Sequence, residues 1–115
     1  MHRILSSFFL IVVFHSLQAE TIKVCPECNI NSISQAIGKA QANDTLVIQK
    51  GEYLEHDILI DKPLTLIGKG NPSINAETKG YGIIIKSDKV IIDGISINNV
   101  GKSFTKDFAA IYISK

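Results

Sequence analysis

The sequence predicts an all-β fold, a right-handed parallel β-helix (solenoid) behind a short N-terminal capping α-helix. Three observations predict it. Short β-branched runs with period-2 alternation fill the chain from residue 45 onward, a single amphipathic helical segment precedes them, and the runs recur in a fixed order. At 115 residues with 45% hydrophobic and 20% charged residues, the chain suits one small domain and is too apolar to be disordered.

Residues 1–19 read as a cleaved signal peptide. His2 and Arg3 give a short charged start, an apolar run follows over 4–14, and Leu17-Gln18-Ala19 ends on a small residue. The run falls short of the roughly 20 apolar residues that span a bilayer. Residue 20 is Glu, so the cysteine that a lipoprotein would acylate is missing there. The expected product is an exported domain over residues 20–115, in an oxidising compartment, with no transmembrane span. Removal of Arg3 leaves it with 11 Lys against 11 acidic residues, interspersed and neutral overall. Such a surface has no basic face for nucleic acid and no polybasic stretch for anionic lipid.

Thr21, Ile22, Lys23 and Val24 alternate polar and apolar and predict a strand. Cys25-Pro26-Glu27-Cys28 follows, holding the only two cysteines. In an oxidising compartment they form a tight local disulfide or remain idle thiols. The alternative is a soft-metal site, since two thiolates three residues apart can converge on Cu(I) or Zn. Zn would need further donors, and the single histidine outside the leader, His56, lies well downstream. A thioredoxin-like role would place the motif at the opening of a helix, whereas Asn29, Ile30 and Asn31 intervene.

Residues 32–42 predict the helix. Ser32 and Gln35 have the spacing of a capping box, and Ile33, Ala36, Ile37 and Ala40 fall on one face. Asn43-Asp44 ends it. The later runs are 45–49, 57–60, 64–67, 72–75, 82–86, 90–92, 95–98 and 110–113, separated by turn formers such as Gly51, Asp61-Lys62-Pro63 and Asp93-Gly94. No second helix is visible, which argues against folds with helical crossovers.

Internal repetition separates a solenoid from an antiparallel sandwich. The run at 57 returns at 82 and 110, that at 64 returns at 90, and that at 73 returns at 95. Intervals of 22 to 28 residues suit one coil each. Stacking would make interior ladders of Ile58 and Ile60, Ile83 and Ile85, and Ile111 and Ile113, with Leu64 and Leu66 stacked against Val90 and Ile92. Asn98 and Asn99 would join a hydrogen-bonded ladder of turns. The helix would be the lid that covers the first coil's apolar end and open edge. About two and a half coils are expected, fewer than the roughly three that stand alone, so the sequence reads as the truncated start of a longer solenoid.

Cys25-Pro26-Glu27-Cys28, Ser32-Ile33 with Ala36-Ile37, Asn43-Asp44-Thr45, Gly51 with Tyr53, Asp61-Lys62-Pro63-Leu64-Thr65-Leu66-Ile67-Gly68 and Asp107-Phe108-Ala109-Ala110-Ile111 together resemble the N-terminal region of the NosD family. Most of these motifs are shared by carbohydrate-binding and sugar-hydrolase (CASH) domains with a pectin-lyase-like β-helix. The cysteine motif and the Asp107 segment tilt the resemblance to NosD. It implies a periplasmic accessory protein for copper-site assembly of nitrous oxide reductase in denitrification, working with a membrane ABC transporter. The reductase and a copper chaperone would be its further partners. No catalytic residue and no required cofactor is implied for this segment, with copper as the metal that Cys25 and Cys28 would meet. NosD-like chains run several times longer, so docking surfaces on later coils would be missing here.

The rival function class is a polysaccharide lyase or hydrolase, or a carbohydrate-binding β-helix. Lyases of this architecture resemble one another in an arginine base, and no arginine follows Arg3. Inverting hydrolysis needs carboxylates roughly 6.5–9.5 Å apart, while Asp57, Asp61, Asp88 and Asp93 fall where turn chemistry favours Asp. Tyr53 and Phe108 read as packing residues rather than sugar platforms. A plain adhesive solenoid is the third class.

Overall fold

A parallel strand with one apolar face must stack that face on something, and here strands of three or four residues stack on their own sequence repeats. The computed structural model describes residues 18–103 and 107–114. Apart from its last two residues, the expected signal peptide lies outside them. The elements in order are β1 (Thr21–Val24), α1 (Ile33–Lys39), β2 (Thr45–Ile48), β3 (Glu52–Leu54), β4 (Ile58–Ile60), β5 (Thr65–Gly68), β6 (Ser73–Asn75), β7 (Ile83–Ile85), β8 (Ile91–Asp93), β9 (Ser96–Asn98) and β10 (Ile111–Ile113). Three sheets result, ordered β1-β2-β5-β8, β3-β6-β9 and β4-β7-β10. All the strand pairs among them are parallel. This is a β-solenoid, and the right-handed sense is the one that twisted strands impose on parallel crossovers.

Among the described residues the strands group into three coils, β2-β3-β4, β5-β6-β7 and β8-β9-β10, with β1 opening a turn before them. The expectation of two and a half coils is therefore corrected. Its cause is β3, whose three residues Glu52, Tyr53 and Leu54 include none that is β-branched and only Tyr53 that favours a strand, too little to mark a run. Tyr53 nonetheless points inward, stacks on Ile74 and is 3% exposed. A second correction concerns register. The sequence interval set Ser73 against Ile95, whereas Ser73 pairs with Ser96 and Ile74 with Ile97. The shift of one residue keeps both isoleucines on the inner face, whereas pairing Ser73 with Ile95 would set inward side chains against outward ones.

The interior ladders follow the expected order. Ile58 and Ile60 pair with Ile83 and Ile85, which pair with Ile111 and Ile113. Leu46, Leu66 and Ile92 form the corresponding inner rung of the first sheet. Burial fades along the stack: Ile58, Ile60 and Ile83 are fully buried, Ile85 is half-buried, and Ile111 and Ile113 are 41% and 68% exposed. Among the described residues no further coil lies on β8, β9 and β10. Outside, Asn99 Nδ2 donates to Asn75 Oδ1 (3.2 Å), and Asn75 Nδ2 donates to Glu52 Oε2 (3.1 Å). Asn99 thus joins the expected ladder. Two coils also touch through glycine, since a Cβ on Gly68 would lie 2.1 Å from the Gly94 carbonyl oxygen.

At the other end α1 covers the first coil with Ile33, Ala36, Ile37 and Ala40, all 5% exposed or less. It is shorter than the sequence suggests because Ala40 already has extended backbone (φ −77°, ψ 153°). Ser32 Oγ accepts from Gln35 N as expected (3.1 Å), but the returning Gln35 Oε1 accepts from Asn31 N (3.4 Å) rather than closing the box on Ser32. The stronger cap comes from the first coil. The half-buried Glu55 carboxylate accepts from Ile33 N (2.7 Å), Ser34 N (3.0 Å) and Ser32 Oγ (3.3 Å). Lys62 Nζ donates to Ile37 O (3.0 Å) and Ala40 O (2.8 Å) at the opposite end. The N–H groups of the first turn and the Ile37 and Ala40 carbonyls at the far end thereby find partners, with charges matched to the helix dipole.

Asp44 joins the lid to β2. It is 4% exposed, and its carboxylate accepts from Gln41 N and Glu20 N, both at 2.8 Å. These backbone hydrogen bonds hold its pKa below the ordinary 3.8, aided by the Lys62 charge and opposed by burial.

Three outcomes are expected. Glu55→Ala costs about 2 kcal/mol by removing charge-assisted bonds to helix N–H groups, whereas Gly38→Ala gains up to about 1 kcal/mol in a helix interior. Nothing lies within 4 Å of a Cβ at Gly38; urea midpoints of the two variants read both signs. Asp44 has a folded-state pKa below its unfolded value, so its stabilisation is complete above 3.8 and vanishes as pH falls through the folded value. Asp44→Asn flattens that acid limb in a pH series of urea midpoints; parallel limbs in variant and wild type contradict the assignment.

Candidate functional site

Cys25 follows directly on β1, so the register of Val24 with Ile48 fixes where the cysteine turn begins. The two cysteines form a disulfide with Cα atoms 5.1 Å apart. The turn has its own backbone bonds: Cys28 N donates to Cys25 O (3.1 Å) and Cys25 N donates to Ile30 O (3.3 Å). Pro26 packs over Gly51, where a Cβ would lie 2.6 Å from the proline Cγ and where φ is +155°. Only glycine meets both conditions without strain. Beneath, Tyr53 is buried and its hydroxyl donates to Gln49 O (2.7 Å), with Val24 O at 3.4 Å. Burial raises its pKa, and the charges of Glu55 and Glu27 add to that. Tyr53 is thus a packing residue, as its position in the sequence suggested. Cys25 and Cys28 are half-buried, flanked by exposed Pro26 and Glu27.

A second cluster lies on the corner where the third sheet begins. Asp57 adopts φ +51°, its N–H donates to Tyr81 O (2.6 Å), and its carboxylate accepts from Tyr81 N (3.0 Å). The other carboxylate oxygen lies 2.8 Å from His56 Nδ1. Asp57 therefore clasps the first coil to the second, in keeping with the turn chemistry expected of it. Above it the Tyr81 ring stacks on Tyr112 (centroids 4.7 Å, 25° between planes), and Phe108 meets Tyr81 edge-on at 5.0 Å. Ala109 and Ala110 carbonyls accept from Gly82 N (3.3 Å) and Ile83 N (2.8 Å), which seats the Asp107 to Ile111 segment on β7. On the outer side of this sheet Leu59, Ile84 and Tyr112 are in register, and Leu59 and Tyr112 are 42% and 44% exposed. Sequence reasoning missed this apolar outer ladder, because inward and outward isoleucines look alike until register is known.

The remaining acids stay apart. Asp88 lines an open hollow with Lys86, Ser87, Ile113 and Ser114, and Asp93 ends β8 on the outer surface. Among the described residues no group of three or more His, Cys, Asp and Glu could hold a metal ion, and no helix is long and apolar enough to cross a membrane. No protein family matches the chain, and neither a curated protein nor a solved structure matches it.

The cysteine turn is held by backbone bonds and by Pro26 as well as by sulfur. Replacing both cysteines with Ser therefore costs no more than about 2 kcal/mol, the loop-closure entropy of so short a ring. Urea midpoints measure the loss, and unchanged far-ultraviolet circular dichroism shows that the coils persist.

Proposed function

We propose that this chain is the capped start of a periplasmic β-helical accessory protein, exported by its N-terminal signal peptide, that assists copper-site assembly of nitrous oxide reductase. In this reading it works beside a membrane ABC transporter, with the reductase and a copper chaperone as further partners, and its contribution is a docking scaffold rather than catalysis. The observation that supports the reading is where the resembling segments meet. The cysteine turn lies on Gly51 and over Tyr53, the Ser32 to Ile37 segment is the lid, Lys62 latches that lid, and the Asp107 to Ile111 segment docks on the second coil. Motifs far apart in the chain are thus joined in one scaffold, as expected if they are kept together for a shared architecture. Gene disruption in a denitrifying host that carries it is the test. Reductase purified from the disrupted strain is expected to be depleted of copper, with restoration on re-expression; copper content equal to that of the parent strain overturns the proposal.

A further inference from the structure

We infer that Cys25 and Cys28, once reduced, form a two-coordinate surface site for a soft monovalent cation, Cu(I). The turn that carries them does not depend on the sulfur bridge for its shape. β1 fixes its start, two backbone hydrogen bonds close it, and Pro26 anchors it on Gly51. Opening the bridge therefore leaves two thiols side by side, with Cα atoms near their present 5.1 Å separation. To share a metal the sulfurs need only move apart to about 4.6 Å, twice a typical metal–thiolate bond. Rotation about the two Cα–Cβ bonds supplies that without backbone movement.

The donor set selects the ion. Thiolates favour soft cations, and Cu(I) is satisfied by two of them. Structural Zn takes four ligands, and among the described residues no third His, Cys, Asp or Glu joins the pair. Both cysteines are half-buried at the surface, so an ion delivered from solvent or from another protein can reach them.

The chemistry balances with a dithiol reductant. One of its thiolates attacks a cysteine sulfur, its second thiol resolves the mixed disulfide, and the reductant leaves as a disulfide while Cys25 and Cys28 gain two electrons and two protons. Cu(I) then displaces both protons. The place of this site in copper assembly rests on the maturation reading above, whereas the binding itself does not.

The test uses the chain from residue 20, reduced with excess dithiol, freed of reductant without oxygen, and titrated with Cu(I) against a chromophoric Cu(I) chelator. The reduced chain is expected to retain about one Cu(I), with near-ultraviolet sulfur-to-copper absorption and a mass gain of one copper less two protons. The oxidised chain and the Cys25→Ser/Cys28→Ser variant, checked for fold by circular dichroism, are expected to retain none. Equal retention by either, loss of all copper from the reduced chain to the chelator, or preferential uptake of Zn(II) overturns the site. A chain that binds Cu(I) while its disruption leaves reductase copper unchanged keeps the site and removes the maturation reading. Depleted reductase with a chain that binds no Cu(I) does the reverse.

Discussion

Each coil of this solenoid has an inner face that can be buried only by the coils next to it, and everything else in the structure answers to that constraint. The strands are too short to form a core alone: three or four residues bring one or two side chains inward. Stacking them in parallel register turns these into ladders of Ile, Leu and Val running through the molecule. The loss of burial from Ile58 through Ile83 to Ile111 shows the rule from its weak side, because a rung with a neighbour on one side only stays partly wet. At the first coil the rule demands a lid, and α1 with its four-residue apolar stripe supplies one.

Much of this was legible in the sequence because the change from a helical to a strand period is sharp and the repeats keep their order. Ile58, Ile83 and Ile111 were assigned to one ladder from spacing alone. What was not legible depends on partners far along the chain. β3 has one strand-favouring residue, Tyr53, between two that are not, and is held as a strand by its pairing with Ser73, Ile74 and Asn75. The register of β6 with β9 could not be fixed by the interval between repeats, because turns vary in length while burial of Ile74 against Ile97 does not. The caps from Glu55 and Lys62 come from more than twenty residues away in the chain, beyond any local motif.

Residues with functional potential were harder to read than the fold. The cysteine pair was visible at once, with a local disulfide or idle thiols the first reading and a metal pair the alternative, and the structure pairs the two sulfurs within a turn held by Cys25 N on Ile30 O. Asp57 read as a turn residue and proved to clasp two coils, a role visible only once Tyr81 was placed above it. The outer ladder of Leu59, Ile84 and Tyr112 was hidden, since alternation alone does not say which phase faces out when both phases are apolar.

The bracketing of α1 by Glu55 and Lys62 also constrains the order in which the molecule is built. A helix of seven residues is too short to persist in water by itself, and both of its anchors are synthesised, and would be exported, after it. The lid must therefore wait, frayed or unformed, until the β3–β4 and β4–β5 turns have brought the two side chains round. The segment that comes first in the chain thus takes its fixed shape from contacts made by residues that follow it.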